Sequence, residues 1–208
     1  INVPAGRSAV VCVHALRKDG FNGEIELALK GAPPGVTLDG ARIPAGHDSV
    51  RMTLSAPQGP FDKPTALHVG GCAQINGQTV SRSAVPAEDM MQAFAYQHLV
   101  PAQQLMVAVT GTKKSGGQLV TLADAAPVRL APGGTAQVQI KAPKSSVLKK
   151  VELVLSEPPQ GVTLQDTTLT PDGAAFTLKA DEKLAQVGVA DNLIVEAFTE
   201  RPAGKPGT

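Results

Sequence analysis

Apolar residues along this chain recur mostly at every second position, in short runs broken by Gly, Pro and Asn. Ile25, Leu27 and Leu29 alternate with Glu26, Ala28 and Lys30, and Val151, Leu153 and Leu155 alternate with Glu152, Val154 and Ser156. A period of two sends successive side chains to opposite faces, so each run predicts a strand with one buried face. On this basis strands are expected at 8–16, 24–30, 41–43, 49–55, 66–75 and 78–84. Asn76-Gly77 separates the last two and suits a type I′ turn, whose central residues both need positive φ. Short strands with turn residues at roughly 8–12-residue spacing predict an all-β sandwich.

The pattern repeats. Glu24 to Leu38 and Lys150 to Leu164 each read as an alternating strand, a Pro-rich corner and then Gly-Val-Thr-Leu. The offset is about 126 residues (Ile25 to Val151), the mark of an internal duplication. Upstream, Pro4-Ala-Gly6 and the run to Val13 correspond to Pro132-Gly-Gly134 and the run to Ile140. Downstream, Val50 to Leu54 matches Ala175 to Leu178, and Leu67 to Ala73 matches Leu193 to Ala197. The expected architecture is therefore two tandem immunoglobulin-like, Greek-key β-sandwiches.

Residues 1–85 form the first sandwich in this reading, without its opening strands, and 104–208 form the second. Gln104–Val109 and Gln118–Leu122 would open the second, while Arg201 to Thr208 offers no apolar closing strand. Between them, in 86–103, Met90, Met91, Phe94, Ala95, His98 and Leu99 fall at helical spacing behind acids at Glu88 and Asp89. That spacing predicts a short helical connector whose Met and Phe plug a sandwich end. The chain reads as a window on a longer array.

Composition narrows function. With 42% hydrophobic residues and a net charge of +1, the chain is neither a disordered tail nor a polyelectrolyte. Lys149-Lys150, with Lys141 and Lys144 nearby, reads as a solvated strand edge, so no nucleic-acid partner is expected. No apolar stretch is long enough to span a bilayer as a helix, so no membrane insertion is expected. Five Phe, one Tyr and no Trp weaken a sugar-stacking platform.

Candidate chemistry is sparse. His14, His47, His68 and His98 sit in four different elements, and no Gly-x-Ser-x-Gly accompanies them. Asp181, Glu182 and Asp191 could converge at a sandwich end as calcium ligands, but read more simply as loop acids. Gly116-Gly117 and Gly133-Gly134 precede strands rather than helices, so neither predicts a phosphate loop, and no cofactor is expected. Cys12 and Cys72 occupy strands that face each other across the core of an immunoglobulin fold. Strand placement favours a disulfide between them. Parity opposes it, because alignment with Val138 turns Cys12 inward while Gly71 and Ala73 leave Cys72 outward.

The string from Leu16 through Arg17, Gly20, Phe21 and Gly23 to Leu27, followed by Pro33-Pro34-Gly35-Val36, resembles a known pattern. It is similar to tandem immunoglobulin-like modules of large secreted proteins from planctomycetes and related bacteria. These carry an Arg-x-x-Gly-Phe-x-Gly turn before a strand and a Leu-Pro-x-Gly-Val corner, and often accompany pre-peptidase C-terminal domains. The second copy departs from the pattern, with Pro143-Lys-Ser-Ser-Val-Leu148 in place of the Gly-Phe turn. The resemblance implies a secreted, periplasmic or cell-surface location and no known enzymatic activity. A non-catalytic spacer or adhesion segment is the expected function. Its partners would be neighbouring domains of the same parent chain, a protein or a polysaccharide. The alternatives are a ligand-binding module, or an accessory domain of a secreted hydrolase or protease.

Overall fold

A computed structural model of the chain describes residues 1–94, 96–111, 120–124, 126–141 and 151–199. All regular structure among them is β-strand, and no helix is long and apolar enough to cross a membrane. The chain divides into two compact units, Ile1–Gln118 and Leu119–Thr208.

The first unit holds β1 (Asn2–Pro4), β2 (Ser8–His14), β3 (Ile25–Lys30), β4 (Thr37–Asp39), β5 (Arg42–Ile43) and β6 (Ser49–Ser55). They are followed by β7 (Thr65–Ile75), β8 (Gln78–Ser83), β9 (Ala87–Gln92), β10 (Tyr96–Pro101) and β11 (Leu105–Thr110). One sheet runs β1-β11-β7-β3-β5, with β8 also on β7, and a second runs β2-β6-β4. Val3, Leu67, Val107 and Val109 of the first sheet pack with Leu54, Ala9 and Val11 of the second. Leu27 and Ile43 likewise meet Val50, Met52 and Val13. Burying one apolar face of each sheet against the other makes a sandwich.

The second unit contains β12 (Thr121–Leu122), β13 (Thr135–Lys141), β14 (Val151–Ser156), β15 (Val162–Thr170), β16 (Gly173–Ala180) and β17 (Ile194–Thr199). Its sheets are β12-β13-β16-β15 and β14-β17. Val138, Ile140, Leu153, Ala174, Phe176 and Leu178 form its core, again drawn from both sheets.

The duplication extends to strand register. Leu27↔Gly71 and Leu29↔Val69 in the first unit match Leu153↔Ala197 and Leu155↔Val195 in the second. Leu38↔Leu54 matches Leu164↔Leu178. The Pro-rich corner is the same in both: Val36 N–H donates to Pro33 O at 3.2 Å, and Val162 N–H to Pro159 O at 3.1 Å. Gly35 and Gly161 take φ of 82° and 81° there, a region where a side chain is strained.

One alignment shifts. Val11 pairs Met52 as Val138 pairs Phe176, so Val11, not Cys12, is the counterpart of Val138. The turn glycines agree, with Gly6 at φ 72° and Gly133 at φ 74°. A one-residue slip in a strand exchanges its faces, so Cys12 points outward, not inward.

The connector also differs from expectation. Residues 87–92 and 96–101 form an antiparallel ribbon of β9 and β10, not a helix. Its path explains why. β3 covers one side of β7 from Glu26↔Cys72 to Lys30↔His68, leaving the other side for β8, which spans Gly70↔Ser83 to Ile75↔Gln78. β11 takes the same side further along, Leu105 opposite Leu67 and Val107 opposite Thr65. β8 and β11 thus follow one another along the same side of β7, and the chain between them must leave and return to nearly one point. A helix of that length would separate its ends by about 20 Å, whereas a ribbon brings them together. Ala102 N–H closes the base on Pro86 O at 2.7 Å. Gln104–Val109, expected to open the second sandwich, accordingly falls on β11 (Leu105–Thr110), a strand of the first unit. Lys144, Lys149-Lys150, Gly116-Gly117, Pro143 to Leu148 and Arg201 to Thr208 lie outside the described residues.

Candidate functional site

The densest polar constellation of the first unit centres on Arg17. Its guanidinium donates from Nε and Nη2 to His47 O (2.9 and 2.7 Å), from Nη2 to Pro44 O (3.0 Å) and from Nη1 to Gly23 O (2.7 Å). Asp48 Oδ1 lies 3.4 Å from Nε, and Cζ sits 5.6 Å from the centroid of the Phe21 ring. With its side chain 11% exposed, the guanidinium spends its planar fork of donors on carbonyls of its own chain. It is therefore a clamp joining the β2–β3 and β5–β6 connections, with no fork left for an anion. The Arg-x-x-Gly-Phe-x-Gly string marks this clamp.

The four histidines stay apart. His14 and His68 are exposed on β2 and β7, His98 is exposed on β10, and His47 lies in the turn held by Arg17. His14 Nε2 contacts Cys12 Sγ at 3.4 Å. That pair lies on the outer face of β2, away from any carboxylate partner in register, since Cys12 is opposite Arg51 and His14 opposite Ser49. Cys72 lies on the other sheet, opposite Glu26 and Ser81. Neither cysteine takes part in a disulfide. The two sheets carry them outward in opposite layers, so the structure does not bring them together.

Asp181 and Asp191 serve local turns. Asp181 Oδ1 accepts from Lys183 N–H (2.8 Å) and Leu184 N–H (3.0 Å), and Asp191 Oδ1 accepts from Asn192 N–H (2.8 Å). Among the described residues no three His, Cys, Asp or Glu side chains form a group that could hold a metal ion, so Asp181, Glu182 and Asp191 do not converge.

The feature that stands out from the sandwich is the β9–β10 ribbon. Every residue of β9 is exposed, as is all of β10 except the half-buried Val100. Phe94 at the turn is 97% exposed, Tyr96 72% and Met91 59%. Paired residues share a face, so Met90, Gln92, Tyr96 and His98 lie on one side and Met91, Asp89, Gln97 and Leu99 on the other. The expected plug is thus the reverse: these side chains face solvent. The helical spacing of Met90, Phe94 and His98 conceals the ribbon. One signal does point to it, since the chain's single Tyr sits two residues from Phe94.

No protein-family model matches the chain, and no curated protein matches it. Among solved structures it is similar to the D0-D1 domain of Intimin, at 11% identity and a TM-score of 0.26 over 96% of this chain and 94% of that one. A likeness that loose carries no argument, and the fold rests on the strand orders described above.

Proposed function

We propose that the chain is a non-catalytic interaction module, two tandem immunoglobulin-like sandwiches of an exported bacterial protein that hold and present a contact surface. The observation carrying this reading is the β9–β10 ribbon. It leaves the sheet between β8 and β11, keeps the β7 ladder intact on both sides and projects apolar side chains into solvent. The strand orders support the immunoglobulin-like assignment. In the first unit β2-β6-β4 faces β11-β7-β3-β5, and the second unit repeats the pairings of β2 with β6, β4 with β6 and β3 with β7. The Arg17 clamp supports the likeness to secreted planctomycete-type modules, because it gives their turn string a physical reason. A surface or periplasmic location belongs to the same proposal.

The test is a hydrolase screen of the full chain with protease, esterase and glycosidase substrates, alongside glycan arrays. Background turnover is the expected result. Turnover that falls on replacing His14 or His47 would overturn the module reading, and tight array binding that survives loss of the ribbon would move the contact surface elsewhere.

A further inference from the structure

We propose that the β9–β10 ribbon docks into a protein surface presenting an apolar cleft rimmed by Lys or Arg. This rests on the interaction-module reading and names its contact element. The ribbon is not needed to complete the sandwich, since β8 and β11 finish the edge of β7 without it. Its apex carries backbone strain that a turn alone does not require. Ala93 and Phe94 take φ of 52° and 59°, close to the 50° of Asn76 in the β7–β8 turn, where Gly77 follows at 76°. At that turn the residues suit the conformation; at the ribbon apex a methyl and a benzyl group occupy it, at a cost of about 1–2 kcal/mol per residue. An aromatic held in that conformation and fully exposed is a side chain retained for what it touches.

Charge specifies the partner. From Ser83 to Gly111 the acidic residues are Glu88 and Asp89, and no Lys or Arg occurs. Those acids occupy opposite faces, four and five residues before Ala93, where they would meet cations around the mouth of a cleft filled by Phe94, Met90, Met91 and Tyr96. Met and aromatic enrichment without Lys is the composition of interface centres. A bilayer fits less well. Gln97 sits opposite Met91 and Gln92 opposite Tyr96, nearer the apex, and an acyl medium would strip their hydrogen bonds while a protein can replace them. A second copy of the ribbon fits less well again, because it would set Glu88 and Asp89 against like charges.

The test uses the full chain, immobilised, to select from a phage-displayed random peptide library. Wild type is expected to enrich peptides that combine aromatic or aliphatic residues with Lys or Arg. Phe94→Ser should weaken those peptides about tenfold or more, and the double variant Glu88→Lys, Asp89→Lys should select acidic peptides instead. A variant joining Pro86 to Ala102 through a short Gly-Ser turn should bind none, and an unchanged thermal melt would show that it folds. Four results would overturn the proposal. One is an absence of enrichment. The second is equal binding by the Phe94→Ser or ribbonless variant. The third is a blue shift of Phe94→Trp, the only Trp the chain would hold, on phosphatidylcholine vesicles. The fourth is a dimer in sedimentation that Phe94→Ser dissolves. Hydrolysis by the chain would refute the module reading while leaving the peptide selection to stand, whereas a silent selection without hydrolysis would refute the ribbon alone.

Discussion

Ile43 and Leu169 occupy the same position of the internal repeat, yet Ile43 is 1% exposed and Leu169 44%. The chain reaches both through the same corner and the same Val-Thr-Leu, and then takes different routes. In the first unit it leaves β6 at Gly40 (φ 73°) and crosses to the other sheet, where Ile43 pairs Ile25 and seals the sandwich end. In the second unit it bulges between Gln165 and Thr168, with Asp166 at φ 51°, and stays on β16 to Thr170↔Gly173. What separates the two is the clamp. Arg17 holds the carbonyls of Pro44 and His47 against Gly23, drawing the 40–47 segment to β3. The second copy has Pro143-Lys-Ser-Ser there, with no guanidinium to offer a fork. A repeated strand thus goes where its flanking loops find hydrogen-bond partners.

The largest expected effect follows from that comparison. Arg17→Ala leaves part-buried carbonyls unmet and should destabilise the first unit by about 3 kcal/mol in urea, with the second unit's transition unchanged. Lysine should recover less than half of this, because an ammonium cannot fork. Amide hydrogen exchange at β3 and β5 reads the outcome; if Leu27 N–H, bonded to Ala41 O at 2.9 Å, stays protected in Arg17→Ala, the clamp does not steer the segment.

Truncation at the paired positions comes next. Ile43→Ala should cost about 3 kcal/mol, and Leu169→Ala less than about 0.5 kcal/mol. Equal costs in chemical denaturation would mean that the second unit buries Leu169 after all.

The corner glycines should instead behave alike. A Cβ on Gly35 would lie 2.8 Å from Pro57 Cβ, and one on Gly161 would lie 2.8 Å from Leu184 Cβ, at nearly identical φ. Gly35→Ala and Gly161→Ala should each cost about 1–2 kcal/mol. A several-fold disparity would break the equivalence of the two corners. The smallest effect has the opposite sign: Ala93→Gly should raise the unfolding free energy by about 0.5–1 kcal/mol, since it relieves positive φ at the ribbon apex. Asn76→Gly, whose residue already suits its turn, should change little.

Much of the fold is legible in the order of residues alone. Period-two alternation locates β3, β6, β7 and β14, and Asn76-Gly77 locates the β7–β8 turn. The outward face of Cys12 is not legible in this way. Its neighbours Val10, Val11 and Val13 are apolar on both faces of β2, so alternation does not fix the register. The candidate site is less legible still. Met90, Phe94 and His98 satisfy a helical spacing and a ribbon equally, and nothing local distinguishes a side chain that plugs a core from one that meets solvent.

By itself the sequence determined what depends on neighbours along the chain: which residues alternate, where glycine must admit positive φ, and that one pattern occurs twice. Tertiary structure alone decided what depends on partners distant in sequence. It turned Cys12 outward, sent Ile43 and Leu169 to different sheets, and paired β9 with β10 as a ribbon because the chain at both ends must meet one side of β7. Those outcomes follow from hydrogen bonds and burial across tens of residues, which no local pattern encodes.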